Sequence, residues 1–224
     1  MRTPANPSPL LLRAATPLAH GTRRMVFQHP GNPDALVKVL PDRKLALQRD
    51  AGRFKSWRRR LGIADSGVRT GYRRELRAIA ALRARLGAMP DCVADAYGMV
   101  STDLGPGIVV QKIRGPDGGL APTLRAVLRS EGLTAARRQQ IMRLDGCVRR
   151  SQMVLNNLAL HNIVVTPDAR YGERLVMVDC LGDKALIPVR ALSSWLNRRA
   201  ITKQLCGLMQ RVEMIANSGG LAVR

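Results

Sequence analysis

The carboxylate of Asp179 follows directly on the apolar run Leu175-Val176-Met177-Val178. Desolvating an ionised group there is costly unless a cation answers it. Asp179 therefore reads either as a cation-binding residue or as the aspartate that opens a turn before Leu181-Gly182. Lys38 poses the converse problem, an ammonium inside the apolar run Ala35 to Leu40; a lysine guarding a sheet edge is its structural alternative. Glu75 lies among Arg73, Arg74 and Arg77 in the expected first turn of a helix, where the positive end of the helix dipole favours a carboxylate in any case. The stretch Asn156-Asn157-Leu158-Ala159-Leu160-His161-Asn162 offers further polar groups. Its imidazole is of the residue type that most often serves as a general base. Asn157 cannot act as a base at neutral pH, but its amide can hydrogen-bond to a hydroxyl and position it. Asn162 taken alone is also suited to cap a turn.

The elements that must carry these residues fall in a definite order. Residues 1–9 are rich in proline and predict a flexible arm. Leu10-Leu11-Leu12, Met25-Val26-Phe27 and Ala35 to Leu40 are apolar runs broken by Gly21 and by Pro30-Gly31-Asn32-Pro33, the pattern of a three-stranded antiparallel meander. Leu76, Ile79, Leu82 and Leu86 recur at steps of three and four, predicting an amphipathic helix over Tyr72 to Leu86 that Gly87 caps. Tyr97 to Thr102 and Ile108 to Ile113 are two further strands, joined by Asp103-Leu104-Gly105-Pro106-Gly107. Beyond the loose stretch Gly115 to Gly119 the chain turns helical, at Thr123 to Arg129 and from Thr134 to about Val154. Short strands follow at Asn162 to Val165 and Leu175 to Asp179, with a turn at Pro167-Asp168 between them. A last helix carries Ile201, Leu205, Leu208, Val212 and Ile215 at a 4-3-4-3 spacing. The expected division is an arm at 1–9, a sheet-plus-helix lobe at 10–114 and a helical lobe at 120–224, with a cleft near the 111–119 link.

That order, three strands, a helix with an early glutamate, two strands, a glycine-rich link, helices and two short strands, is the plan of a protein-kinase-like fold. In such folds a strand lysine neutralises the α- and β-phosphates of the nucleotide and a helix glutamate holds that lysine. An asparagine and an aspartate chelate the bridging magnesium, a hard ion that prefers carboxylate and carbonyl oxygen.

The residues match something more particular. Ala19-His20-Gly21-Thr22-Arg23-Arg24-Met25-Val26-Phe27-Gln28-His29-Pro30 with Val37-Lys38-Val39, Gly98 to Gly107, and Val178-Asp179-Cys180-Leu181-Gly182-Asp183 with Leu186-Ile187-Pro188 resemble the PhoP regulatory network protein YrbL family, a group of small bacterial kinase-like proteins. The resemblance runs over roughly residues 10 to 215 and rests on the joint order of the pieces. It implies an α+β, bilobal protein-kinase-like fold, with a small antiparallel N-lobe sheet and a reduced helical C-lobe. It also implies Lys38 as the phosphate-binding lysine, Glu75 as its helix partner, Gly21 in the phosphate loop, and Asn162 and Asp179 as ligands of magnesium. ATP and Mg²⁺ are the cofactors that follow.

Two departures from the kinase pattern weigh on activity. The phosphate loop holds one glycine where kinases have G-x-G-x-x-G, so backbone amides approach phosphates less freely. Asn157 stands where a kinase keeps the aspartate that accepts the substrate proton. His161 is a substitute base by type and position, and phosphoryl transfer draws mainly on positioning and electrostatics. With 45 residues after Asp179 and no A-P-E-like segment, no peptide-docking platform is expected. A kinase-like regulatory protein with weak or absent phosphotransfer is the reading that results. Small-molecule kinases such as aminoglycoside phosphotransferases keep the aspartate that Asn157 displaces.

Composition bounds the remaining possibilities. The 224 residues carry 37 Lys and Arg against 16 Asp and Glu, a formal charge of +21, with 46% hydrophobic residues. Those proportions exclude a wholly disordered basic tail. Residues 43–60 alone hold eight basic side chains and one acid, Asp50. A catalytically silent module docking an acidic protein or nucleic acid through that segment is thus the second reading, and its binding would weaken as salt rises. With aromatics at 3%, a base-stacking platform lacks its usual rings. Cys92, Cys147, Cys180 and Cys206 show no zinc-knuckle spacing. No apolar run reaches the roughly 18 residues of a membrane span, and a cytoplasmic location is expected.

Overall fold

The computed structural model describes residues 8–20, 24–40, 68–181 and 193–219. The chain divides into two compact units, residues 1–76 with 96–112, and residues 77–95 with 113–224. Gly21 and the basic segment 43–60 lie outside the described residues.

The first unit is built on a five-stranded sheet in the order β1-β2-β3-β5-β4. Its strands are β1 (Ala19–His20), β2 (Met25–His29), β3 (Asn32–Val39), β4 (Ala96–Thr102) and β5 (Gly105–Gln111), each antiparallel to its neighbours. Five antiparallel strands match the sequence expectation, but the first is Ala19–His20 and not Leu10 to Leu12. The Leu10 segment instead makes one bridge to Thr102 and buries Leu12 completely. Its backbone amides are answered by a side chain: the Asp103 carboxylate accepts from Leu12 N at 2.7 Å and Arg13 N at 3.1 Å. Phe27, Val37, Val39 and Leu104 close over Leu12 to form the core of this unit.

Helix α1 (Val68–Leu86) follows β3 in the chain. It begins four residues before Tyr72, and Gly87, with φ +76°, ends it in the left-handed conformation that glycine adopts without steric cost. Glu75 is consequently two turns inside the helix rather than in its first turn. The N-terminal dipole therefore does not explain it.

The second unit packs α2 (Leu124–Ser130), α3 (Ala135–Ser151) and α4 (Ser194–Gly219) with the hairpin β6 (Ile163–Asp168) and β7 (Gly172–Met177). Thr123 and Thr134 cap α2 and α3 by accepting from Ala126 N and Arg137 N, each satisfying an otherwise orphaned donor. One core gathers Leu124 and Leu128, Ile141, Leu144 and Val148, Ile163 and Val165, Leu175 and Met177, and Ile201, Leu205, Leu208 and Val212. These are the positions of the three- and four-residue periodicity, so the apolar stripes read in the sequence are the packed faces. The hairpin turns after Asp168, not at Pro167: Pro167 pairs with Glu173 inside the ladder, and the Asp168 carboxylate accepts from the amides of Arg170 and Tyr171. Arg137, 4% exposed, fastens the hairpin to α3 through Glu173 at 3.0 Å. A disulfide joins Cys92, in the segment after α1, to Cys147 on α3. Spacing in the sequence does not announce it. Among the described residues no helix is long and apolar enough to cross a membrane.

Candidate functional site

In the first unit, Lys38 lies on β3 between β2 and β5. It is not at a sheet edge, and it is 7% exposed. Edge protection therefore cannot account for it, and holding an ammonium at such a position requires specific compensation. Helix α1 is pinned at the same strand position, because the Tyr72 hydroxyl donates to the Lys38 carbonyl at 3.2 Å. Glu75 is three residues further along, on the same helix face, and is 8% exposed. Its carboxylate accepts from Arg24 Nη1 at 2.9 Å. The Arg24 guanidinium also lies over the Tyr72 ring, 5.0 Å from its centroid. Arg24, Lys38, Tyr72 and Glu75 thus form one group. Lys38 and Glu75 are expected from the sequence, whereas Arg24 and Tyr72 join them only in the fold.

In the second unit the four predicted residues meet in one loop and the strand end beside it. Asn157 and His161 are exposed, and Leu160–Asn162 forms a single 3-10 turn that leads into β6. Asn162 Nδ2 donates to the carbonyl oxygens of Asn157 and Asp179, both at 3.3 Å. Backbone bonds lock the same neighbours: Val178 N to Asn162 O at 2.9 Å and Asn156 N to Cys180 O at 2.6 Å. The carboxamide nitrogen is therefore committed to the backbone and the carboxamide oxygen is the group Asn162 has to offer. Asp179, an exposed residue tied to Asn162 through its backbone carbonyl, carries the second hard oxygen donor, a carboxylate. That donor chemistry fits magnesium, which is commonly held by one or two protein oxygens and completes its shell with water and phosphate. Among the described residues no three His, Cys, Asp or Glu side chains gather as a metal cluster.

Helix α4 holds the loop from beneath. The Gln204 carboxamide accepts from Leu158 N at 3.1 Å and donates to Leu155 O at 2.9 Å, and Arg211 Nη2 donates to Leu158 O at 2.8 Å. These contacts answer backbone groups that an irregular segment would otherwise leave unpaired. Gln204 and Arg211 are seven residues apart along one flank of the apolar stripe of α4. Two polar residues at that spacing beside a buried face were the available signal for them.

Among the described residues, a five-stranded antiparallel sheet with a buried lysine on an interior strand, a helix between its third and fourth strands, then helices and a hairpin bearing an asparagine and an aspartate, define a protein-kinase-like fold. The crystal structure of Rad53 1–466 in complex with AMP-PNP superposes with a TM-score of 0.54 at 13% identity, covering 93% of this chain and 51% of its own. The Mycobacterium tuberculosis PknI kinase domain, a double mutant, aligns at 16% identity and a TM-score of 0.46 over 73% of this chain and 55% of its own. The chain spans about half the length of these structures. It belongs to the PhoP regulatory network protein YrbL family, whose model matches residues 10–213. No curated protein sequence matches it.

Proposed function

We propose that the chain is a kinase-like regulatory protein that binds ATP with magnesium, with phosphotransfer weak or absent. The observation that carries this reading is the tie of the Asn162 carboxamide nitrogen to the carbonyls of Asn157 and Asp179, which holds the two expected metal-ligand residues side by side. Lys38 supplies positive charge for the phosphates, and Glu75 belongs to its group. Magnesium, when bound, neutralises charge on the phosphate oxygens. The AMP-PNP bound by Rad53 supports a nucleoside triphosphate as the ligand class. Asn157 presents an amide where a kinase has its base; it orients a hydroxyl but takes no proton from it. His161, exposed in the adjacent turn, is the remaining group able to accept one.

A thermal-shift titration with ATP, ADP and GTP, with and without Mg²⁺, tests the reading. A ligand at a hundredfold excess over its Kd stabilises the folded state by about 2.7 kcal/mol, roughly 5–10 °C for a chain of this size. The shift should require magnesium and disappear in Asp179→Ala, which keeps the backbone carbonyl that Asn162 uses. No shift with any nucleotide defeats the proposal. Asn157→Asp should raise phosphotransfer, and unchanged turnover with nucleotide still bound shows that the missing base is not what limits it.

One observation favours a second reading, a basic module docking an acidic protein or nucleic acid. Helices α3 and α4 run antiparallel, with Asn197 Nδ2 donating to Gln152 O and Arg149 Nη1 to Thr202 Oγ1. This gathers exposed Arg149, Arg150, Arg198, Arg199 and Lys203, with Trp195 64% exposed and the acid Asp145 paired to Arg149. Polyglutamate and a single-stranded oligonucleotide are suitable probes. On this reading their binding weakens with salt and survives a Lys38→Met, Asp179→Ala double variant.

A further inference from the structure

We infer that Arg24 is a second cation of the phosphate-binding group, fixed on the Lys38 side of the sheet to receive a polyphosphate. The inference rests on the nucleotide reading above and adds to it a residue that reading does not use. Val26 lies directly across from Lys38 in the β2–β3 ladder, and Arg24 stands two residues before Val26. Side chains two apart along an extended chain point to the same face, which brings Arg24 to the side of Lys38. Two contacts then hold it there: the ion pair to Glu75 at 2.9 Å and the stacking on Tyr72 at 5.0 Å.

The rotamer of Arg24 is consequently set before any ligand arrives, which removes ordering cost from anion capture. Its side chain is 21% exposed while that of Glu75 is 10% exposed. The pair is therefore partly open on the arginine side. A guanidinium carries five donors in a planar fork, a geometry that matches phosphate oxygens. Lysine and arginine would divide the work: a compact point charge at Lys38, and directed hydrogen bonds at Arg24.

The test is calorimetric binding of ATP–Mg²⁺, adenosine and inorganic tripolyphosphate to the whole chain and to Arg24→Met, Arg24→Lys and Lys38→Met. Arg24→Met should weaken ATP and tripolyphosphate about tenfold or more, the loss of one charge-assisted contact, and leave adenosine unchanged. Arg24→Lys should recover part of the loss. Unaltered ATP affinity in a folded Arg24→Met overturns the inference alone, as does an equal loss for ATP and adenosine, which marks a purely structural role. Wild type that binds tripolyphosphate but no nucleotide defeats the nucleotide reading and leaves the anion group standing. Binding of neither probe defeats both. Because Arg24→Met strands a buried carboxylate, Arg24→Met with Glu75→Gln serves if the single variant does not fold; undiminished affinity for tripolyphosphate in that pair also overturns the inference.

Discussion

Asn162 spans two backbone carbonyls with one amide nitrogen, those of Asn157 and Asp179, each at 3.3 Å. The side chain thereby ties the loop before β6 to the strand end after β7. On the nucleotide reading proposed above the carboxamide oxygen would meet the metal, so substitutions at this residue test the tie and the ligand role separately.

Asn162→Asp replaces the donating nitrogen with a second acceptor facing two carbonyl oxygens. It should destabilise the second unit by about 1–3 kcal/mol through two unmade hydrogen bonds and repulsion, measured by urea denaturation. Asp179→Ala keeps both carbonyls and so leaves the Asn162 tie intact, while abolishing the magnesium-dependent part of ATP binding. Equal losses of stability in the two variants would show that Asn162 is no tie.

Much of this arrangement was legible in the chain. The apolar spacings of Ile141, Leu144 and Val148 and of Ile201, Leu205, Leu208 and Val212 are the packed faces of α3 and α4, because burial imposes the helical period. Five strands and the placing of Lys38 on one of them were likewise readable. What escaped depends on contacts between residues distant in sequence. Leu10 to Leu12 is apolar enough for a strand, but Asp103 captures its amides from 91 residues away and leaves it a bridged segment. Nothing local marks Arg24 as the partner of Glu75, 51 residues on, or Cys92 as the partner of Cys147. The apolar stripe starts at Tyr72 and Leu76 and so puts Glu75 in a first turn, whereas the helix begins at Val68, ahead of the stripe.

Asp103 makes the first unit sensitive to acid. The Leu12 backbone N–H, assisted by that of Arg13, holds its carboxyl below its ordinary value of 3.8. The unfolded chain therefore takes up the proton first as pH falls. The stabilisation is fully present above about pH 4 and is lost as pH drops through the lowered folded value. The thermal midpoint of wild type should exceed that of Asp103→Asn by a constant margin from pH 7 to about pH 4 and converge with it below. A margin that is flat down to pH 2 would separate Asp103 from the docking of the Leu12 segment.

The disulfide predicts a thiol count as well as a stability. Of the four cysteines, Cys180 is free and buried and Cys206 free and exposed. Folded, oxidised protein should show one fast-reacting thiol, two on unfolding and four after reduction. The bridge closes a loop of 55 residues, so reduction should lower stability by about 2–4 kcal/mol and the thermal midpoint by roughly 5–15 °C. Cys92→Ala with Cys147→Ala should reproduce the reduced midpoint and make it indifferent to reductant. Four reactive thiols in unreduced, unfolded protein would show that the bridge does not form.

Gly107 sits in β5 opposite Val39 and beside Lys38. A Cβ there would stand 3.0 Å from Val37 Cγ1, 3.1 Å from Val39 Cγ1 and 3.4 Å from the Lys38 carbonyl oxygen. Val37 and Val39 are fully buried and β-branched, with little rotamer freedom to retreat, so the backbone must yield instead. Gly107→Ala should destabilise the chain by about 1–3 kcal/mol. The cost should shrink in a Val37→Ala background, where the nearest methyl is gone. Strictly additive losses would mean that the two side chains do not compete for that space. Because the strand that must move carries Lys38, the single variant should also weaken tripolyphosphate binding, and Val37→Ala should restore part of it. Loss of stability with anion affinity intact would place the clash in the core alone and leave the position of Lys38 undisturbed.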